Sequence, residues 1–260
     1  MSQFTDVTGE SISDLTLVIG RKLVHFEEGH GATHITVSSN NSAVRVVGTT
    51  LFDGPKGIHS VRLTATAVGE ATITGKTKDG QSSSLDIDVE AKLALPARNT
   101  TEGIVVRLLL AESMTPSDNQ YDASDAEKGM KWMVVVLNNR LENPGEFGAP
   151  GGKTIEDIIK ANAPAQFRGF ASYPKYSAGI VQKIQTIVDF ANDNNLGTQD
   201  EFQDHLKAAL RIGENYKSPI PDPSPTELIG WRTSGSGSPG SGFTPFGPPI
   251  LGIQFYRRPD

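Results

Sequence analysis

The sequence predicts two domains, an all-β sandwich followed by a mainly α domain that ends in a small β-hairpin. Three observations support this prediction. The chain has 260 residues, which favours two domains over one. Residues 15–93 consist of short β-branched segments separated by Gly, Asn, Ser and Asp, whereas the residues that follow show the three-and-four spacing of helices. We therefore expect one domain over residues 1–95 and a second over residues 96–260.

Seven segments of the first domain have the composition of strands, and turn-forming sequences such as NNS, VGE and KDGQ separate them. Apolar and polar residues alternate around Leu85, Ile87 and Val89, so this strand should turn one face to a core and the other to water. Seven such strands in fewer than 90 residues predict a sandwich. The segments are LTLVIG, KLVHFEE, HITVSS, AVRVVGTT, SVRLTATAV, EATITGKTK and SSLDIDVEA.

Two stretches of this region, HITVSSNNSAVRVVG and LTATAVGEATITGKTKDGQSSSLDIDVE, resemble a bacterial immunoglobulin-like domain of the adhesin and invasin type. The resemblance covers most of residues 15–91. It implies an immunoglobulin-like sandwich that serves as a spacer, targeting or adhesion module, and we place no catalysis in it.

Five helices are predicted in the second domain, after the Pro-containing boundary ALPARNTT. Four of them begin at a Ser, Thr or Asn that can cap a helix, and three of these caps are followed three residues later by Glu, as in a capping box. The remaining helix is indicated by apolar residues at helical spacing, from Ile180 to Ala191. The four expected N-caps are Asn99, Ser124, Thr154 and Thr198.

The last segment departs from the helical pattern. Two short strand-like pieces, ELIGWR and ILGIQFYRR, flank the Gly, Ser and Pro-rich stretch TSGSGSPGSGFTPFGPP. Because that composition is typical of a flexible loop, we expect it to form the long loop of a hairpin rather than a tether between domains.

Composition narrows the range of functions. A net charge of -6 and a pI near 5.4, without a cluster of Lys and Arg, argue against nucleic acid as the main partner. The chain has no cysteine, so disulfides and thiolate metal sites are excluded. His30 and His34 have the spacing of helical metal ligands, but Gly29 and Gly31 disfavour a helix there, and we predict neither a metal nor a cofactor. No run approaches the roughly 20 apolar residues of a spanning helix, so we expect no transmembrane segment.

Glu112 is the residue to which most of the chemistry is assigned. Val105, Leu108 and Glu112 recur three and four residues apart, so Glu112 should lie on the buried stripe of the first helix. A carboxyl group among apolar side chains loses solvation of its ionised form, which raises its pKa. A general acid at neutral pH requires such a shift. The alternative is that Glu112 is simply the first polar residue where a core helix reaches the surface.

Four sequence landmarks follow one another between Glu102 and Arg258, namely RLLLAES, EKGMKWMVVVLNNR, AQFRGF, and IGWR with LGIQFYR. Together they resemble the SleB-type, or spore-cortex-lytic, cell-wall hydrolases, which are similar to lytic transglycosylases in chemistry. The resemblance implies a lysozyme-like α+β domain. The chain departs from the family pattern in the longer insertion AESMTPSDNQYDASDAEKG, in Arg168 where the family has Ser, and in Gln254 near an expected His.

The resemblance implies that Glu112 cleaves the β-1,4 bond between N-acetylmuramic acid and N-acetylglucosamine of peptidoglycan by protonating the glycosidic oxygen. In a lytic transglycosylase the resulting carboxylate then takes the proton of the muramic acid 6-hydroxyl group. A muramidase instead needs a positioned water or a second carboxylate, for which Asp118, Asp122 and Asp125 are the nearby candidates. Because a polar insertion of this kind is typically a solvated loop, we favour the mechanism with one acid.

Further residues are expected to bind the glycan strand. An amide can bond to N-acetyl groups, and an aromatic ring can support a sugar, although Phe167 would fit a core position equally well. The expected substrate-binding residues are Gln166, Phe167, Tyr173, Trp231 and Tyr256.

The amino-terminal sequence MSQFTDVTGE lacks the basic and apolar segments of a signal peptide. A wall-degrading enzyme without such a signal requires specialised delivery. We therefore expect an antibacterial effector of a contact-dependent system such as type VI secretion, acting in the periplasm of a target bacterium. Its expected partners are peptidoglycan, an immunity protein and a component of the secretion apparatus. The alternatives are a phage-associated lysin and a non-catalytic protein of wall binding or adhesion.

Overall fold

The computed structural model describes residues 2–28, 34–161, 167, 169–237 and 239–260. The chain divides into two compact units, the first comprising Met1–Lys92 and Asn192–Gln199, and the second comprising Leu93–Ala191 and Asp200–Asp260. The sequence places the boundary three residues later, at 95, and assigns residues 192–199 to the second domain. The structure groups these residues with the first unit instead.

Hydrogen bonds explain why residues 192–199 belong to the first unit. The Asn194 side chain accepts a bond from the Val18 amide at 2.8 Å and donates one to the Val18 carbonyl at 2.7 Å. The Asn195 side chain accepts a third bond from the Leu23 amide at 3.0 Å. The two asparagines therefore satisfy backbone groups at Val18 and Leu23, in two different strands, that would otherwise need another partner.

Within its described residues, the first unit contains eight strands in two four-stranded sheets. Their orders are β1-β3-β6-β5 and β2-β8-β7-β4, and the pairs are antiparallel except for β2 with β8. Alternating apolar residues such as Val24, Phe26, Leu85 and Ile87 fill one core. The seven predicted strand segments each overlap one strand, and β1 is an additional one. The strands are β1 (Gln3–Thr5), β2 (Asp14–Val18), β3 (Gly20–Glu27), β4 (Ile35–Ser39), β5 (Val44–Asp53), β6 (Ile58–Ala65), β7 (Gly69–Thr77) and β8 (Ser82–Glu90).

The part of the second unit that the structure describes contains five α-helices and three strands. The helices are α1 (Thr101–Glu112), α2 (Ala123–Glu142), α3 (Ile155–Lys160), α4 (Ala178–Ala191) and α5 (Gln199–Glu214), and a short 3-10 helix spans Pro144–Phe147. The strands are β9 (Leu228–Thr233), β10 (Thr244–Ile250) and β11 (Ile253–Arg257), in the antiparallel order β10-β11-β9. No helix among the described residues is both long and apolar enough to cross a membrane.

The predicted fold class, an immunoglobulin-like sandwich followed by a mainly α, lysozyme-like domain with a small hairpin, is wrong. The described chain has three sheets, with about 31% of residues in strands and 29% in helices. The expected terminal hairpin is a three-stranded sheet, because Thr244–Ile250, assigned from sequence to a loop, pairs with β11. Proline lacks an amide hydrogen but is tolerated at a sheet edge, so the prolines of this strand do not prevent pairing.

Two helix starts also differ from the prediction. Helix α1 is capped by Thr100, whose hydroxyl oxygen accepts from the Gly103 amide at 3.0 Å, and not by Asn99. Helix α2 is capped by Asp122, which accepts from the Asp125 amide at 2.8 Å, and not by Ser124. In each case a second capping residue stands close by in the sequence, and the chain uses the one whose backbone is extended. Thr154 caps α3 as predicted.

Candidate active site

Glu112 is the last residue of α1. The helix is buried along most of its length, including Val105 and Leu108, whereas Glu112 itself is partly exposed. The backbone becomes extended at Ser113, which ends the helix. The carboxyl group thus stands where a core helix terminates, and the negative end of the helix dipole lies beside it.

The indole of Trp231 is a direct partner of this carboxyl group. Its Nε1 donates a hydrogen bond to Glu112 Oε2 at 3.2 Å. Strand β9 presents Trp231 opposite Phe255 of β11, and the indole packs on the Phe167 ring with centroids 5.0 Å apart. The pairing of the two strands and the contact with Phe167 therefore fix the Trp231 indole, which in turn holds one oxygen of the Glu112 carboxyl group.

Lys183 of α4 binds the end of α1 on either side of Glu112. Its Nζ donates to the carbonyl oxygens of Ala111 and Ser113, each at 2.7 Å. The last carbonyls of a helix have no partner within the helix, so an ammonium group stabilises them both by hydrogen bonding and by its charge. The same interaction places a cation close to the carboxyl group.

Burial raises the pKa of Glu112 above its ordinary value of 4.5, and the Trp231 hydrogen bond and the Lys183 charge oppose this shift without cancelling it. Burial also lowers the pKa of Lys183, against the charges of Glu112 and Asp118. The loss of solvation therefore dominates both groups. The site favours a protonated carboxyl group more than water does, as expected of a general acid.

A chain of polar side chains begins at Ser113, directly after Glu112. Ser113 Oγ lies 3.3 Å from His205 Nε2, and Tyr121 Oη lies 3.3 Å from His205 Nδ1. Burial lowers the pKa of His205 to about 4 and raises that of Tyr121 to about 12, so both are neutral near pH 7. A neutral imidazole donates through one nitrogen and accepts through the other, and each neighbouring hydroxyl can supply the complementary role.

A groove of about 640 Å³ adjoins this polar chain. Tyr121 and His205 line it together with charged and aromatic residues of α2 and α5, among them Lys131, Trp132 and Arg211. Glu112 is not among the described residues that line the groove. The polar chain therefore extends from the residue beside the acid to a solvent-accessible depression.

The predicted substrate-binding residues fall into different environments. Trp231 reaches the acid, and Phe167 is buried beneath it, with the Arg140 guanidinium 5.3 Å from the Phe167 ring centre. Phe167 thus supports Trp231 rather than offering a free face to a sugar. Gln166 and Arg168 lie outside the described residues, as does His30.

Tyr173 and Tyr256 do not provide the exposed rings that were expected. Tyr173 is buried, its hydroxyl donates to the Arg98 carbonyl, and its ring packs with Phe170 and Tyr176. Tyr256 is also buried, and its hydroxyl lies 3.5 Å from the Gly237 carbonyl. Both side chains belong to the packing of the unit, so neither ring offers a free face to a sugar.

The three candidate second acids have local structural roles. Asp118 accepts bonds from the amide and hydroxyl of Thr115, both at 3.0 Å, and Asp122 caps α2. Asp125 lies in the first turn of α2, 4.0 Å from Lys128. These contacts account for the acidic insertion without a catalytic task.

Lys183 and His205 were missed as members of the site. The signal that marks them is a polar residue on an otherwise apolar helical stripe. Lys183 falls at helical spacing between Ile180 and Ile187, and His205 lies between the buried Phe202 and Ala209. A charged or imidazole group at such a position must be compensated by partners in the fold.

No family model matches the chain, and no curated protein matches it. Among solved structures, it is similar to domains 4 and 5 of the S-layer protein SbsC, with 14% identity, a TM-score of 0.26, and coverage of 30% of this chain and 47% of that chain. It is also similar to CopC from Methylosinus trichosporium OB3b, with 18% identity, a TM-score of 0.27, and coverage of 37% and 100%. The BIgI domain of the beta protein from S. agalactiae gives 11% identity, a TM-score of 0.24, and coverage of 36% and 98%.

These matches are mostly β-domains, and each covers about a third of the chain. The chain in turn spans about half the length of the SbsC structure. TM-scores this low assign neither the immunoglobulin-like class nor a lysozyme-like one, and they carry no functional argument.

Proposed function

We propose that the second unit cleaves the β-1,4 bond between N-acetylmuramic acid and N-acetylglucosamine in peptidoglycan, as a SleB-like lytic enzyme with Glu112 as its general acid. The observation that supports this most is the environment of Glu112. Its carboxyl group ends a buried helix, burial raises its pKa, and Trp231 holds one of its oxygens. Within the described residues Oε1 has no hydrogen bond, which leaves it for a ligand.

The reaction begins when protonated Glu112 donates its proton to the oxygen that leaves C1 of the muramic acid. The C1–O bond breaks, and C1 passes through an oxocarbenium-like transition state. The Glu112 carboxylate then takes the proton of the muramic acid 6-hydroxyl as O6 bonds to C1. The products are a 1,6-anhydromuramic end and a free 4-hydroxyl group on the N-acetylglucosamine, and Glu112 is protonated again.

The surroundings of Glu112 suit a residue that acts in turn as acid and base. Desolvation favours the protonated form at the start, while the Trp231 hydrogen bond and the Lys183 charge stabilise the carboxylate after proton transfer. Because Asp118, Asp122 and Asp125 are engaged in turns and helix starts, the geometry supports the one-acid route over a two-carboxylate hydrolysis.

The test is digestion of purified sacculi by the full-length protein, by Glu112→Gln and by Glu142→Gln, with mass spectrometry of the soluble fragments. Glu142 is a matched control because it is also a glutamate that ends a helix, but it is exposed. We expect the wild type and Glu142→Gln to release anhydromuramic fragments, and Glu112→Gln to release none above background.

The fragments also discriminate between mechanisms. Fragments with reducing muramic acid ends would show that the second step is hydrolysis and not transglycosylation, with Glu112 still as the acid. Undiminished release by Glu112→Gln would refute the assignment of the acid. Sedimentation of the protein with sacculi, without fragments from any variant, would favour the alternative of a non-catalytic wall-binding protein.

We further propose that the substrate is met in the periplasm of a target bacterium, and that an immunity protein opposes the enzyme there. Expression in a Gram-negative host tests this with two matched plasmids, one with and one without a signal peptide. We expect lysis only with the exported form, and no lysis with exported Glu112→Gln. Purification of the protein from its source together with phage structural proteins would instead favour a phage-associated lysin.

A further inference from the structure

The exposed apolar side chains of the described chain are concentrated on one strand. Six large apolar residues are exposed, and three of them belong to β5, namely Val47 at 60%, Leu51 at 51% and Phe52 at 66% exposure. Single exposed apolar residues are ordinary on protein surfaces, whereas a cluster marks an interaction site. Strand β5 carries more exposed apolar side chains than any other described strand of the first unit, and Leu51 lies opposite His59, which lies opposite the core residue Phe26, so the outer face receives Val47 and Phe52.

The position of β5 in its sheet leaves it open. It is the last strand in the order β1-β3-β6-β5 and pairs with β6, so its other edge has no strand partner within the described residues. The register with β6 shifts at Val47 and again at Phe52. Such bulges add a residue that is not paired across the ladder and redirect its side chain.

Strand register defines which side chains share the outer face of this sheet. Arg21 and Arg45 both lie opposite Thr64, and Leu23 lies opposite Arg62, so all of these point away from the core. The Arg62 guanidinium lies across Gly48, where an added Cβ would come within 3.3 Å of it. Val47 lines a depression with Arg21, Leu23 and Arg62, and Phe52 stacks on the ring of His25, two residues after Leu23, with centroids 4.8 Å apart. We call Arg21, Leu23, Arg45, Val47, Phe52 and Arg62 the arginine face.

The three arginines of this face are exposed, and none of them forms an ion pair within the part of the chain that the structure describes. This is unusual in a chain whose net charge is -6. Two of them, Arg21 and Arg62, also line a depression of about 780 Å³ together with Val7, Leu23 and Val47. Cationic and aliphatic groups thus line the same depression.

We propose that the arginine face docks a partner protein through an extended acidic segment in which carboxylates alternate with aliphatic side chains. The carboxylates would pair with Arg21, Arg45 and Arg62, since guanidinium groups form bidentate bonds with carboxylates. The aliphatic side chains would cover Val47 and Leu23 in the depression. An extended segment beside β5 also meets the free backbone groups of its open edge.

A second copy of the chain fits this face less well. The outer face of the other sheet is acidic, with Asp14, Glu70, Asp86 and Asp88 around a depression, but the remaining residues there are mainly polar. It would pair with the arginines and leave Val47 and Phe52 against polar groups. The proposal concerns the first unit alone and is independent of the cleavage proposed for the second.

The test measures binding of fluorescent octapeptides to the full-length protein by anisotropy at low and high salt. The probes are an alternating Glu-Val peptide, an alternating Lys-Val peptide and an alternating Glu-Ser peptide. We expect the Glu-Val peptide to bind best and to weaken with salt. The double variant Arg45→Glu with Arg62→Glu should lower its affinity by about tenfold or more. Lys76→Glu, an exposed charge reversal on the other sheet, should leave it unchanged.

Several results would overturn the proposal. Equal binding of the Lys-Val peptide, or unchanged binding by the double variant with a native circular dichroism spectrum, would remove the electrostatic basis. Equal binding of the Glu-Ser peptide would remove the apolar one. Sedimentation that shows self-association of the wild type, abolished in the double variant, would assign the face to a second copy of the chain.

Discussion

Two carboxyl groups, one at the end of a helix and one at the start of another, have pKa values shifted in opposite directions. Glu112 ends α1, and burial raises its pKa. Asp157 lies in the first turn of α3, where hydrogen bonds from the Lys153 amide and the Thr154 side chain lower its pKa. Asp157 Oδ2 accepts from the Lys153 and Thr154 amides at 2.9 and 3.0 Å, and the Thr154 hydroxyl oxygen accepts from the Asp157 amide at 3.2 Å.

The difference shows that the number of hydrogen-bond donors around a carboxyl group decides the direction of its pKa shift. A helix start offers free amide hydrogens and the positive end of the dipole, which favour the charged form. A helix end offers only carbonyl oxygens, so Glu112 depends on Trp231 and on the Lys183 charge. Asp157 is therefore suited to stability and Glu112 to proton transfer.

The largest expected effect is that of Glu112→Gln on glycan cleavage, which should fall by about 10²- to 10⁴-fold because the proton donor is lost.

The same variant should have a higher free energy of unfolding than the wild type at pH 7. A carboxyl group with a raised folded pKa stabilises the fold fully below its unfolded pKa, and this contribution disappears as pH rises through the folded pKa. Glutamine stays neutral, so the variant should be the more stable protein at pH 7 and similar to wild type near pH 4.

Urea unfolding of both proteins across this pH range checks the prediction, and Glu142→Gln serves as the exposed control. A variant that is less stable than wild type at pH 7 would show that the charged form of Glu112 is well accommodated. The contrast with Asp157 would then fail.

The second effect concerns Lys183. Lys183→Met keeps the aliphatic stem but removes both bonds to the end of α1, so we expect a loss of about 1–3 kcal/mol in stability. The pKa of Glu112 should also rise further without the cation, which moves the high-pH limb of the activity profile to higher pH. Lys183→Arg keeps the charge and should keep the wild-type profile. An unchanged limb in Lys183→Met would separate Lys183 from the acid.

Much of the local structure follows from the sequence because it depends on neighbours in the chain. The spacing of Val105, Leu108 and Glu112 predicts the helix that carries the acid, and Thr154 predicts the start of α3. The partners of Glu112 cannot be obtained in this way. Trp231 stands 119 residues from Glu112, and their contact exists only after β9 has paired with β11.

Two errors have a common physical origin. The Gly and Pro content of the stretch before Ile250 predicts a loop, and Tyr173 is predicted to bind a sugar. In the structure, the first is an edge strand beside β11. The second is a buried side chain whose hydroxyl donates a hydrogen bond to the Arg98 carbonyl. Local composition describes what the backbone tolerates, whereas pairing and burial are decided by distant residues.

The third effect isolates the indole of Trp231. Trp231→Phe keeps an aromatic ring on Phe167 and removes the Nε1–H donor to Glu112, so glycan cleavage should fall by about tenfold, equivalent to about 1.4 kcal/mol. Trp132→Phe is the matched control, because the Trp132 indole packs on Phe246 and Phe255 and has no hydrogen bond to Glu112 among the described residues. Fragment release measured at several pH values distinguishes the loss of the hydrogen-bond donor to Glu112 from the loss of indole packing area. Wild-type activity in Trp231→Phe would show that the bond is dispensable.

The smallest expected effect concerns Asp157, the carboxyl group at the helix start. Asp157→Ala should cost about 1 kcal/mol at pH 7, since it removes half of a capping box, and glycan cleavage should be unchanged. The folded pKa of Asp157 is depressed, so its contribution is present above the ordinary value of 3.8 and is lost as pH falls through the lower folded value. The stability difference between Asp157→Ala and wild type should therefore shrink in acid, where that between Glu112→Gln and wild type also vanishes. Above these pKa values the two variants should differ from wild type with opposite signs, and equal signs at pH 7 would contradict the assignment of one carboxylate to stability and the other to chemistry.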